Sequence, residues 1–244
     1  MQHRIAITLL FVTILVSWAI NTASAAIWTK SKPLANPLNI KGHRIGILVE
    51  PDPQQLDVQY ERKISMGMSW MATAAGKAND VETRSKLNKA VDSTNVQKEF
   101  YQTVIKTISS TNAPALLQEN LYYSAHPEKF AEKTIEGYKI RDFQAVMKEK
   151  GIDYLLYVRY TAGLGTNGYG PLNKPSAFID GRYYLISSNG ELLASERINS
   201  RDEYYNPVDP KTVFSNPTQF NQDLRASMQQ FSKTICTRLQ LGCS

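Results

Sequence analysis

AFIDGRYYLISSNGELLASERINSR, residues Ala177–Arg201, decides the fold. Asn189-Gly190 separates two runs of aromatic and aliphatic residues and is the favoured pair for a type I′ hairpin turn. Ala177 to Ser188 and Glu191 to Arg201 are therefore read as paired antiparallel strands. With a two-residue turn, Leu185 faces Ala194, Tyr183 faces Glu196 and Arg182 faces Arg197. Like charges directly opposed are unfavourable, and Asp180, diagonal to both Arg197 and Arg201, can offset them. The set reads first as a surface charge ladder, with a ligand-binding patch as the alternative.

Working outward, DYLLYVRYTA (Asp153 to Ala162) alternates cleanly: Tyr154, Leu156, Val158 and Tyr160 take one face, Leu155, Tyr157, Arg159 and Thr161 the other. Before it, Ile140, Phe143, Val146 and Met147 predict a helix from about Arg141 to Lys150, ended by Gly151. Phe100, Val104, Ile105 and Ile108 predict an amphipathic helix over Val96 to Ser109, with helical signals from about Val81. The segment Ala115 to Tyr123 reads as a short strand or a further helical turn. His43 to Glu50 is β-branched, stops at Pro51 and Pro53, and reads as a central first strand. Near the C-terminus, Phe220, Leu224, Met228, Phe231, Ile235 and Leu239 step by three or four residues, a stripe for docking a helix (Thr218 to Leu241) on a sheet. The order implies an α+β fold: a mixed or antiparallel sheet of four to five strands with packed helices and the C-terminal amphipathic helix on the sheet.

The first 25 residues read as a secretory signal peptide, with Arg4 in its n-region, an apolar run from Ile5 to Ile20, and cleavage between Ala25 and Ala26. That run is interrupted by Thr8, Thr13 and Ser17 and falls short of the roughly 20 apolar residues of a spanning helix; retention as an uncleaved anchor is the alternative. No stable membrane span is expected after cleavage. The rest divides into an extended leader (26–42) and one domain (43–244) with an irregular 51–80 insert. The mature balance, 27 basic against 22 acidic, is a mild surplus without a clustered stripe, which argues against a nucleic-acid partner. In an exported chain, Cys236 and Cys243 read as a disulfide, with Gly242 offering the reversal that a single helix could not supply. Free thiols are the alternative; a redox pair would want Cys-x-x-Cys spacing.

Chemistry-bearing motifs are sparse. Gly163, Gly165 and Gly168 match the dinucleotide fingerprint after a strand, but Tyr169-Gly-Pro-Leu-Asn-Lys-Pro175 cannot start the helix that would meet a pyrophosphate. No cofactor is expected. The long connection Gly163 to Ser176, carrying Tyr169 and Lys174, is the leading interaction candidate. Met66, Met68, Trp70 and Met71 read first as packing against the sheet and, where exposed, as a contact patch for a partner or membrane. His43 and His126 are the histidines beyond the signal, and neither sits in a nucleophile elbow; no metal-ligand spacing occurs. Acidic pairs such as Asp202-Glu203 read as solvated surface.

FQAVMKEKGIDYLLYV (Phe143–Val158) and GRYYLISSNGELLA (Gly181–Ala194) together resemble the small envelope domains of the TolB N-terminal, curli-secretion lipoprotein and penicillin-binding-protein activator lipoprotein group. The pattern is a helix ending Lys-Gly, a strand, then a hairpin. The resemblance implies a non-enzymatic accessory to an envelope machine and supplies no site residues. The sequence therefore predicts a periplasmic or secreted interaction protein that binds an envelope protein or polymer through loops. The alternatives are an exported hydrolase, using gathered carboxylates or Ser with His43 or His126, and a secreted effector-associated protein.

Overall fold

The structure is a computed structural model, and it describes residues 30–36, 43–52, 55–59, 70–109, 130–166, 175–202 and 206–241. Five strands form the main sheet: β1 (Ile45–Pro51), β2 (Asp57–Gln59), β5 (Tyr154–Gly165), β6 (Ser176–Ser187) and β7 (Leu192–Asn199). Their order is β1-β5-β6-β7, with β2 continuing the β1 side of β5. The β1 and β2 pairings are parallel and the other two antiparallel, so the sheet is mixed. A separate hairpin joins β3 (Glu132–Ile135) to β4 (Tyr138–Arg141). The helices are α1 (Trp70–Ala90), α2 (Ser93–Ser109), α3 (Gln144–Lys150), α4 (Pro210–Ser215) and α5 (Thr218–Arg238).

Both faces of the sheet are covered, unequally. On one face Ile47, Val49, Leu156, Val158, Tyr160, Tyr183 and Leu185 pack against Leu87, Phe100, Val104 and the α5 stripe. All six residues of that stripe are buried, so it is core as its spacing predicts. Phe100 stands edge-on to Tyr160 and to Phe231, centroids 4.4 and 5.5 Å apart, in the geometry aromatic quadrupoles favour. On the other face Leu48, Leu155, Tyr157, Tyr184 and Ile186 meet Tyr138, Ile140, Phe143 and Met147 of the hairpin and α3. That second layer caps the part of the sheet toward Tyr154; the strand ends toward Gly165 carry charge instead.

Several expectations change. β1 is an edge strand among the described residues, not a central one; its continuous apolar run reflects layers over both faces, the pattern usual for parallel strands. The 51–80 stretch, expected to be irregular, holds the end of β1, β2 and the start of α1. α1 begins at Trp70 rather than near Val81, and Asn88 brackets Leu56 by accepting from its N–H (2.9 Å) and donating to its carbonyl (2.8 Å). α3 begins at Gln144, because Arg141 ends β4 in a hairpin the helical spacing concealed. Gly151 ends α3 in the left-handed conformation, φ 62°, as expected.

The Asn189-Gly190 turn also differs. Of the pair only Gly190 has positive φ, at 81°, so the turn is not type I′. Ile186 pairs with Leu192 while Leu185 pairs with Ala194, leaving Leu193 as a bulge after a three-residue loop. Gln144 of α3 donates to the Asn189 carbonyl of this loop at 2.8 Å. The bulge restores the expected register, and Arg182 faces Arg197 as predicted. Positive φ at both central positions occurs instead at Glu136 (52°) and Gly137 (84°), between β3 and β4. Glu136 is steadied there by Lys30, which donates to its carbonyl, and by Lys32 at 2.6 Å from its carboxylate. Lys32 also forms a two-bond bridge with Ser195, so the chain at Lys32 pairs with β7.

Candidate functional site

The charged part of the second face is built by register. Glu50, Arg159, Arg182 and Arg197 stand opposite one another across β1, β5, β6 and β7 in a single row. Thr161, Asp180 and Asn199 form the row beyond it. Each directly opposed like pair is unfavourable by up to about 1 kcal/mol, so three adjacent arginines need offsets. Arg159 meets Asp52 at 2.6 Å. Arg197 makes a bidentate pair with Asp180, at 2.9 and 2.6 Å. Arg182, only 4% exposed, donates to the Lys30 carbonyl and Ser195 Oγ and lies over the Tyr138 ring. The Asp180 offset is as expected for Arg197, whereas Arg201 turns to the Thr166 carbonyl and the Phe178 ring.

Glu50, 7% exposed, ends the row at the apolar layer. Arg141 holds it bidentately (3.0 Å to Oε1 and 3.3 Å to Oε2), and the Tyr157 hydroxyl also donates to Oε2. Burial pushes the Tyr157 hydroxyl well above the ordinary tyrosine range, and the adjacent Glu50 charge adds to it. Tyr157 therefore stays a donor at any physiological pH.

Beside these rows lies a cleft of about 520 Å³, lined among the described residues by Asp52, Arg159, Asp180, Arg182, Tyr184 and Arg197, with Gln59 and Thr161 on its wall. The arrangement offers guanidinium, carboxylate, amide and hydroxyl groups on rigid strands. It suits recognition of a charged group.

Sequence-predicted site residues fall as follows. Gly163 and Gly165 lie inside β5, and a Cβ on Gly163 would overlap the Asp57 backbone of β2, so that glycine serves strand approach rather than phosphate binding. Gly168, Tyr169 and Lys174 lie outside the described residues, as do Ala25, Ala26, Met66, Met68, His126, Glu203, Cys243 and the segment 115–123. Trp70 and Met71 open α1, with their side chains outside the description. Cys236 is fully buried in the last turns of α5. His43 sits 3.3 Å from Asp153 at the surface, and Asp202 lies in a short 3-10 turn (Ser200–Asp202).

The roots of both interaction candidates do converge. Thr166 donates to the carbonyl of Gln59 at 3.0 Å, so the last described residues before Met66 and before Tyr169 are neighbours, and Gln59 also lines the cleft. Sequence reasoning missed Arg159 and Asp52 as cleft residues. The signal was available for Arg159: antiparallel pairing of β5 with β6 places it opposite Arg182.

No family model matches the chain. No curated protein matches it. Solved structures similar to it include a Xanthomonas campestris protein of the DUF330 family (13% identity, 87% of this chain and 93% of that one, TM-score 0.39). Another is a Helicobacter pylori protein described as a neuraminyllactose-binding hemagglutinin homolog (7% identity, 85% and 91%, TM-score 0.35). A third is the PelC dodecamer from Paraburkholderia phytofirmans (7% identity, 82% and 94%, TM-score 0.28). Scores at this level carry no functional argument and do not establish the envelope-lipoprotein group that the sequence resembles. Among the described residues no helix is long and apolar enough to cross a membrane.

Proposed function

We propose that this chain is an exported, non-enzymatic interaction protein of the bacterial cell envelope, periplasmic or secreted, that binds an envelope protein or polymer. The observation that carries the reading is the charged cleft on the part of the sheet that α3 and the β3–β4 hairpin leave uncovered among the described residues, with Gln59 in its wall and Thr166 hydrogen-bonded to Gln59. Met66, Met68, Trp70 and Met71 on one segment and Tyr169 and Lys174 on the other extend the binding surface. Cleavage between Ala25 and Ala26 and a Cys236–Cys243 disulfide belong to the same proposal, and no cofactor does.

The test is cross-linking and pull-down from native envelopes with the full-length chain and with a variant whose 167–174 segment is replaced by a short Gly-Ser linker. Excising all of Gly163 to Ser176 would remove paired strand residues. Loss of captured partners from the variant is expected; retention of every partner overturns the interface. Intact-mass measurement of the exported protein should give an N-terminus at Ala26 and a mass about 2 Da below the dithiol form, as one disulfide requires. An N-terminus at Met1 overturns the cleavage.

One observation favours a second reading: the cleft gathers two carboxylates, Asp52 and Asp180, as a hydrolase would. Both are engaged by arginines rather than set against an apolar wall, which suits them to structure and recognition more than to general-acid work. Hydrolysis of envelope glycans by the purified protein, abolished by Asp180→Asn, would reverse that preference.

A further inference from the structure

The arginine row has a cost that folding alone does not call for. Three guanidiniums occupy directly opposed positions on β5, β6 and β7, where neutral β-formers would pair without repulsion. Burial does not explain it, since the Arg197 and Arg159 side chains are 48% and 33% exposed. Arg159 reaches Asp52 through Nη2, and its Nε is buried with no hydrogen-bond partner among the described residues. Counting Arg159, Arg182 and Arg197 against Asp52 and Asp180 leaves the described lining of the cleft with one positive charge in excess. Gln59 and Thr161 place neutral polar groups on the same wall.

Deepening the binding reading above, on which it rests, we propose that this cleft is a site for a singly charged oxyanion group carried on a polar, hydroxylated body. A carboxylate or a phosphodiester supplies that chemistry: one negative charge on two oxygens, the shape a guanidinium fork matches. The single excess charge suits a monoanion better than a phosphate monoester. Asp52, 48% exposed at the rim, is the internal competitor for Arg159; the ligand's oxyanion adds to or displaces it.

The experiment is calorimetric titration of the full chain with glucuronate, with glycerophosphoglycerol and with neutral methyl glucoside at matched ionic strength. The two anionic probes separate the carboxylate source from the phosphodiester source. At least one anion is expected to bind at about millimolar affinity, as befits a fragment-sized ligand, and the neutral glucoside is not. Raising salt from 50 to 300 mM should weaken binding several-fold. Arg159→Gln should weaken it by about tenfold, while Asp52→Asn, which keeps an acceptor for Arg159 but removes the competing charge, should tighten it by roughly fivefold. Arg225→Gln, on a helix over the opposite face, is the control. The opposite signs at Arg159 and Asp52 are what a merely structural ion pair would not give, since both changes would then only lower stability. Absence of heat with both anions, or equal binding of methyl glucoside, overturns the proposal; so does weakening by Asp52→Asn in a protein whose circular dichroism is unchanged. Anion binding without envelope partners would retain this site and discard the accessory role. Partners captured through the 167–174 segment without anion binding would do the reverse.

Discussion

At the scale of single residues, glycines and charges carry different lessons. Gly163 reads in sequence as part of a phosphate-binding fingerprint, and in the structure it is where β2 comes closest to β5. An added methyl would meet the Asp57 backbone rather than a side chain that could swing away, so β2 itself must shift. Gly163→Ala is expected to cost about 1–3 kcal/mol, read as a lowered urea midpoint. An unchanged midpoint would mean that β2 does not hold this position in solution. The letter pattern was legible and its cause was not, because the cause lies about a hundred residues away in sequence. Arg182 and Arg197 were legible as an opposed pair from the hairpin alone. Arg159 completes their row only once β5 is laid against β6.

Among elements, local patterns read well and remote pairings poorly. The α5 stripe and the β6–β7 register follow from spacing within one segment, and both stand in the structure. The turn type did not follow, since Asn189-Gly190 suits both a two-residue type I′ turn and a three-residue loop with Gly190 left-handed, and the structure has the second, with Gln144 of α3 bonded to its Asn189 carbonyl. Likewise β2 and the β3–β4 hairpin are short and exposed to helical misreading, and only their partners define them. Of the candidate site, the two segments were readable as unusual in composition, while the cleft was not, because it needs β5 laid against β6.

Two helices are also joined by charge. Arg225 of α5 holds Glu99 of α2 bidentately, at 2.8 Å to each oxygen. That hydrogen bonding, ahead of the opposing effect of burial, lowers the Glu99 pKa below its ordinary value. A carboxylate more acidic in the folded than the unfolded chain contributes stability above its unfolded pKa, about 4.3, and loses it as pH falls through the folded value. Wild type should therefore be more stable than Arg225→Gln at pH 6, and the gap should narrow as pH is lowered toward 3. A gap that stays constant across that range would show that the pair contributes packing rather than charge.

On the scale of the whole molecule, the sheet is assembled from two kinds of neighbour. β5, β6, β7 and α5 follow one another within residues 154–238, with no other strand of the main sheet between them. β1 reaches β5 only after α1, α2, the β3–β4 hairpin and α3 have intervened. Closing a loop of about 100 residues rather than about 10 costs only about 2 kcal/mol more, so the remote pairing is affordable at equilibrium. Its effect falls on time, because non-local pairing slows folding. Pulse-labelled hydrogen exchange should show amides of Tyr183 and Leu185 protected before those of Ile47 and Val49; simultaneous protection would count against this order. On that order the parallel seam between β1 and β5 is the slowest joint of the sheet, and the first strand among the described residues, made before the others, is secured after them.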